Sequence, residues 1–139
     1  MNKLNYILIA EDDADDQLLI KSAFSQAGLD TTLQFTNNGE ELIGFLKNKS
    51  NDEPSFILLD LNMPKMDGNE CLSFIRANTD LRHIPIIVFT TSSLKENIQK
   101  AYQLGANSYI TKPTSFNTLK DLARLINDYW LNTIKLPHA

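Results

Sequence analysis

Three acids in a row, Glu11-Asp12-Asp13, follow the short apolar run Tyr6–Ala10, and a lone acid, Asp60, follows a second run, Phe56–Leu59. Farther along, Thr90 closes the run Ile86–Phe89, and Lys112 follows the short segment Asn107–Thr111. Carboxylates repel one another, so ionising several of them in one place is unfavourable without a positive partner. Lys112 supplies one positive charge. A hard divalent cation such as Mg2+ would supply more, since it takes one or two carboxylates and keeps several waters. With both in place, a carboxylate oxygen of Asp60 could attack a phosphoryl group, and aspartyl phosphates are known covalent intermediates. Metal and lysine would then neutralise charge on the equatorial oxygens, and the Thr90 hydroxyl is placed to hydrogen-bond one of them.

That chemistry needs elements that bring distant residues to one place. Phe56-Ile57-Leu58-Leu59 is too short for a helix and shows no polar alternation, which suits a strand buried on both faces of a parallel sheet. Pro64 and Asp67-Gly68 then break the chain into a turn. Taken alone, this stretch leaves two readings of Asp60 open. It stands at the carboxyl edge of an open α/β sheet, where ligands bind, or it merely ends a strand and faces water.

The rest of the chain repeats strand then helix, five times in all. A helix is expected from Ala14 to Ala27, with Leu18, Leu19, Ala23 and Phe24 as its apolar face and Gly28 just past its end. Thr31–Thr36 reads as an edge strand and Asn38-Gly39 as a turn. Glu40–Lys49 reads as a helix with Leu42, Ile43, Phe45 and Leu46 inward, and Asn48–Pro54 as a loop. Further helices are expected over Asn69–Asn78 and over Lys95–Leu104, the latter stopped by Gly105. A last helix begins near Ser115 or Phe116 and runs to Trp130 or beyond. Such alternation implies parallel strands, right-handed crossovers and helices on both faces of one sheet. If the strand order is 2-1-3-4-5, the ends bearing Glu11–Asp13, Asp60, Thr90 and Lys112 are neighbours.

Composition narrows the partners. A chain of 139 residues, 42% hydrophobic and 22% charged, is ordinary for one soluble globular domain. Its net charge is −4 and its lysines and arginines are scattered, so it has neither a nucleic-acid footprint nor a polybasic membrane patch. Tyr6–Ala10 is too short for a signal-peptide core or a membrane span. The single cysteine, Cys71, excludes an intramolecular disulfide and a multi-cysteine metal site, and it reads as a small core residue. A cytoplasmic location fits these features.

The E-D-D after the first strand, the D-L-N-M-P-x-M-D-G around Asp60, the T-T-S after the fourth strand and the K-P after the fifth resemble the receiver domains of response regulators, the CheY-like modules of two-component signalling. Each piece alone is weak. All four, in order and at the expected strand ends, are specific, and the resemblance spans Leu4 to Tyr129. It implies a flavodoxin-like, doubly wound five-stranded parallel sheet of order 2-1-3-4-5. It also implies that Asp60 is the phosphoacceptor and that Glu11 and Asp12 are the acidic pair, with Asp12 the direct Mg2+ ligand and Asp13 outside the pair. Asn62 would ligate the metal through its main-chain carbonyl. Thr90 would follow the phosphoryl group, Lys112 would be its ammonium partner, and Tyr109 would swing inward with Thr90 as a two-state element. Lys112-Pro113 would be a cis peptide. Plainer readings stand beside these: the acids cap a helix, where they favour its dipole, and Tyr109 is a core aromatic. Thr91 is larger than the alanine or glycine frequent beside the switch threonine, and Asn62 and Ser92 stand where the lifetime of the phosphorylated state is tuned.

Three competing functions fit these residues less well. A haloacid-dehalogenase-like phosphatase needs a second aspartate two residues after the first; here that residue is Asn62, so a turnover enzyme is not expected. A flavodoxin-like cofactor binder would need a hydroxyl- and glycine-rich phosphate loop where Glu11–Asp13 stand. A degenerate, non-phosphorylated receiver acting only as an interaction module would have lost Asp60, Thr90 or Lys112. The expected protein is therefore a single, stand-alone receiver over 1–139 with an extended C-terminal helix and tail at about 115–139. It is phosphorylated by a sensor histidine kinase and signals through its fourth helix, fifth strand and fifth helix. In the last helix Leu119, Leu122, Ala123, Ile126, Tyr129 and Trp130 read as inward, and Leu125, Leu131, Ile134 and Leu136 as extra apolar surface for a homodimer or partner. The tail YWLNTIKLP and the run H-I-P-I-I-V-F-T-T-S are similar to single-domain receivers paired with bacterial phytochrome kinases.

Overall fold

The computed structural model describes residues 5–137. Leu4, where the resemblance begins, and His138 and Ala139, at the end of the expected tail, lie outside the described residues. Five strands, β1 (Tyr6–Ala10), β2 (Thr32–Thr36), β3 (Phe56–Leu59), β4 (Ile86–Thr90) and β5 (Ser108–Thr111), alternate with α1 (Ala14–Gln26), α2 (Gly39–Lys47), α3 (Gly68–Ala77), α4 (Lys95–Gln103) and α5 (Phe116–Asn127). A π-helical segment, Asp128–Thr133, prolongs α5. All strand pairs are parallel, and the order is β2-β1-β3-β4-β5.

The apolar runs are buried because both faces of the sheet are covered. On one face Leu8, Ile57, Leu59, Ile86 and Val88 pack with Leu42 of α2, Leu72 and Ile75 of α3 and Ala101 of α4. On the other, Ile7, Ile9, Phe56, Leu58, Ile87 and Phe89 pack with Ile20, Ala23 and Phe24 of α1 and Ala123 and Ile126 of α5. Each such aliphatic side chain contributes about 1.5–3 kcal/mol when fully buried. Every residue of β1, β3 and β4 is buried, whereas β2 alternates as an edge strand should. Cys71 is buried in the first core.

Polar residues fix where the helices begin. Asp13 caps α1 by accepting from the amides of Asp15 (2.8 Å) and Asp16 (3.1 Å), and Asp67 and Glu70 form a reciprocal capping box on α3. Asn38 caps α2 through the Glu41 amide at 2.8 Å. Asn38-Gly39 is thus a helix start rather than the expected turn; the asparagine competes for a backbone N–H just as well at a helix end. Two glycines let the loop after β3 seat. A side-chain carbon on residue 39 would lie 1.9 Å from the Met66 carbonyl oxygen, and one on residue 68 would lie 2.5 Å from the Asp60 carbonyl oxygen.

Three further expectations fail. Leu18 and Leu19 do not face the core but are 62% and 46% exposed, and Ile20 is buried in their place. Apolar residues occur all round α1, so its phase is set by contact with β1 and α5, not by its own pattern. In the C-terminal region, Tyr129 lies largely outside, while Leu131 packs on the core, because the π-helical segment shifts the angular register beyond Asn127. The Lys112–Pro113 peptide is trans, as are all the described peptide bonds.

Candidate phosphoacceptor site

Backbone pairing brings the loaded strand ends to one edge. Ala10 is in register with Leu59, and Thr90 with Thr111. One residue on, the Asp60 amide donates to the Ala10 carbonyl at 3.1 Å and the Lys112 amide to the Thr90 carbonyl at 2.7 Å. Glu11, Asp60, Thr90 and Lys112 are therefore held by the sheet itself and not by flexible loops.

At the centre stands the Lys112 ammonium. It donates to Glu11 Oε1, to Asp16 Oδ2 at 2.9 Å and to Asp60 Oδ2 at 3.0 Å. Its side chain is 11% exposed and that of Glu11 only 2%. Burial alone would lower the lysine's proton affinity. Hydrogen bonds to Glu11 and Asp16 and the charge of Asp60 outweigh that and hold it above the usual lysine range. Burial pushes the Glu11 carboxyl up to about 7; the neighbouring Asp60 charge adds to this, while Lys112 opposes it. The second oxygens of the two buried carboxylates are also engaged: Glu11 Oε2 accepts from the Asp13 amide at 3.1 Å and Asp60 Oδ1 from the Asn62 amide at 3.1 Å.

One ammonium does not balance this many acids. Glu11, Asp12 and Asp60 each offer an oxygen within 4.8 Å of one another, with Asp12 exposed at the mouth. Three carboxylate oxygens converging beside solvent are a donor set that fits a hard, oxygen-loving dication. Beside them, fully buried at the end of β4, the Thr90 hydroxyl has no hydrogen-bond partner among the described residues. A buried hydroxyl without a partner costs about 1–3 kcal/mol.

Residues 7–124 match the response regulator receiver domain. The chain belongs to that receiver family. It is 35% identical over 142 residues to Response regulator Rcp1 of Synechocystis sp., covering 99% of this chain and 97% of Rcp1. It is 35% identical over 121 residues to Chemotaxis protein CheY-3 of Vibrio cholerae, covering 87% of this chain and 90% of CheY-3. The Mn2+-bound form of Rcp1 superposes with a TM-score of 0.86 at 34% identity, covering 96% of this chain and 99% of that one. The phosphorylated cyanobacterial phytochrome response regulator RcpA superposes at 0.89 with 32% identity, covering 98% and 100%. The receiver is accordingly a module of two-component signalling.

Of the residues named from the sequence, the receiver brings Glu11, Asp12, Asp60 and Lys112 into one cluster, with Thr90 beside it in the sheet. Asn62 lines a cavity of about 480 Å³ together with Asp12, Ser92 and Asn97. Tyr109 stands apart from the acids, half-buried, its hydroxyl donating to the Ser92 carbonyl at 2.8 Å in the loop after β4. Two residues escaped the sequence reading. Asp16 joins the Lys112 cluster, and its signal was its place in the first turn of a helix, four residues after Asp12. Gln17 donates to the Glu11 carbonyl at 2.5 Å and to Asn37 at 2.8 Å, tying α1 to the strand end. Among the described residues no helix is long and apolar enough to cross a membrane.

Proposed function

We propose that this receiver takes a phosphoryl group onto Asp60 from a sensor histidine kinase and passes the change to a face made of α4, β5 and α5. The observation that carries the reading is the Lys112 ammonium, shared between Asp60 at 3.0 Å and Glu11, next to a Thr90 hydroxyl that lacks a partner. An oxygen of Asp60 attacks phosphorus, and the bond from phosphorus to the donor nitrogen breaks, its electron pair leaving with the imidazole. Lys112 keeps Glu11 and turns from Asp60 to a phosphoryl oxygen. The Thr90 hydroxyl donates to another phosphoryl oxygen. When bound, Mg2+ held by Glu11, Asp12, Asp60 and the main-chain carbonyl of Asn62 would supply positive charge against the phosphoryl oxygens.

As Thr90 moves, the loop that follows it moves too, and Tyr109 is tied to that loop through Ser92. Thr90 and Tyr109 are then the switch, and a pre-existing two-state equilibrium is what phosphorylation shifts. Asn62 gives the site no second acid, so Asp60 holds the phosphoryl group as a signal and the protein is not a turnover enzyme. The likeness to the phytochrome response regulator RcpA supports a phytochrome-type kinase as donor. A second copy docked through the C-terminal face is the further partner; neither nucleic acid nor membrane is one. A single receiver domain over 1–139, with its extended C-terminal region, acting in the cytoplasm, accords with the composition. A receiver working only as an unphosphorylated interaction module would dispense with Asp60, Thr90 or Lys112, and all three are present.

The test is incubation with acetyl phosphate and Mg2+, read by intact mass. One phosphoryl adduct is expected on the wild type and none on Asp60→Asn. An unmodified wild type, or an equal adduct on the variant, would overturn the assignment.

A further inference from the structure

The Lys112 ammonium has only three N–H donors, and three carboxylates take all of them: Glu11, Asp16 at 2.9 Å and Asp60 at 3.0 Å. These acids are not equivalent. Glu11 and Asp60 stand at strand ends, their side chains 2% and 8% exposed, whereas Asp16 reaches in from the first turn of α1 and is 36% exposed. The backbone of Asp16 is held in place, because its amide donates to the Asp13 cap at 3.1 Å. Asp16 also borders a cavity of about 150 Å³ beside Lys112 and Thr91, so water and ions reach it. Glu11, Asp12 and Asp60 are the acids whose oxygens converge for a cation. Asp16 stands outside that set, and its carboxylate is bonded to Lys112.

A phosphoryl group on Asp60 brings further negative charge and needs an N–H of Lys112. Asp16 opposes it in two ways. Its carboxylate shares one nitrogen with Asp60, so it repels charge added there, and it occupies a donor that the phosphoryl oxygens could use. We infer that Asp16 is a positioning residue that acts through Lys112 as a counterweight to the phosphoryl group, lowering the affinity of the site for it. This rests on the phosphoacceptor reading of Asp60. For a carboxylate this open to water, at an effective dielectric of about 40–80, a second unit negative charge about 6 Å away is disfavoured roughly three- to tenfold. The plainer role for Asp16 is to favour the N-terminal dipole of α1, which would leave the affinity of the strand-end site unchanged.

The experiment measures affinity for beryllofluoride, which imitates a phosphoryl group bound to a carboxylate, by isothermal calorimetry at saturating Mg2+. It compares the wild type with Asp16→Asn and Asp16→Ala. The first substitution removes the charge and keeps an acceptor for Lys112; the second removes both and frees the donor. Affinity is expected to rise roughly three- to tenfold in Asp16→Asn and at least as much in Asp16→Ala. Raising the salt from about 0.05 M to about 1 M should shrink the gain in Asp16→Asn to less than about twofold, because the screening length falls to about 3 Å. Unchanged affinity in Asp16→Asn overturns the inference and leaves Asp16 as a support for α1 alone. A loss of affinity in either variant also overturns it, since Asp16 would then fasten Lys112 in the binding geometry. So does a gain in Asp16→Asn that persists undiminished at high salt. A wild type that binds no beryllofluoride, or an Asp60→Asn protein that binds it equally well, would instead refute the phosphoacceptor reading itself.

Discussion

Replacing Thr90 with valine should make the receiver more stable and less able to hold its signal. Thr90 is fully buried and its hydroxyl has no partner among the described residues. Valine keeps the branched shape, suits a central strand and removes the unpaired group, whose burial costs about 1–3 kcal/mol. At the low end of that range, a gain of about 1 kcal/mol would raise the urea midpoint by about 0.5 M for a slope near 2 kcal/mol per molar. In the liganded state the sign reverses. The hydroxyl would donate to a charged oxygen, a bond worth about 1.5–3 kcal/mol, so affinity for beryllofluoride with Mg2+ should fall roughly ten- to 150-fold. Urea unfolding without ligand and isothermal calorimetry with it measure the two effects separately. A Thr90→Val protein less stable than wild type, or one binding beryllofluoride equally well, would refute the reasoning that this hydroxyl waits for an external oxygen.

Other perturbations probe the scaffold. In α2, Gly39→Ala should destabilise by more than about 2 kcal/mol, since the new carbon would meet the Met66 carbonyl oxygen at 1.9 Å. Gly44→Ala in the same helix, with nothing within 4 Å, should stabilise by about 0.5–1 kcal/mol; paired urea curves compare them. Lys112→Met strands the buried Glu11 and Asp60 carboxylates and should cost about 3–5 kcal/mol. Added Mg2+ should restore more stability to that variant than to wild type, and equal gains in parallel melts would argue against a cation among the acids. Burial pushes the Cys71 thiol from 9.0 up to about 12 and the Tyr6 phenol from 10.0 up to about 12. Both folded-state values are raised, so their stabilisation is intact below pH 9 and is lost as pH climbs toward 12. The limiting slope is about 1.4 kcal/mol per pH unit for each group. Denaturation midpoints against pH should fall less steeply above pH 9 in Cys71→Ala.

The sequence made the sheet legible because its central strands are buried on both faces and read as unbroken apolar runs, each ending in a polar residue at the same edge. That regularity located Asp60, Thr90 and Lys112. It could not locate Asp16, whose role depends on how the first turn of α1 leans back over the strand end. Leu18 and Leu19 misled for a related reason: a helix with apolar residues on every side takes its rotation from neighbours distant in sequence. Asn38-Gly39 misled because the same dipeptide serves a turn and a helix start, and here the Asn38 side chain accepts from the Glu41 amide and caps α2.

The single tryptophan of the chain, Trp130, lies in the π-helical segment and packs on Phe56, with ring centroids 5.7 Å apart, at the opposite end of β3 from Asp60. The family match ends at residue 124, yet Ile126 is buried, Thr31 donates to Asn127, and Leu131 lies against the core beyond that point. A graft seamed at residue 124 would leave the foot of β3 bare. An interchangeable cassette cut from this protein has to run through Thr133, so that β3 travels with the aromatic lid over its far end.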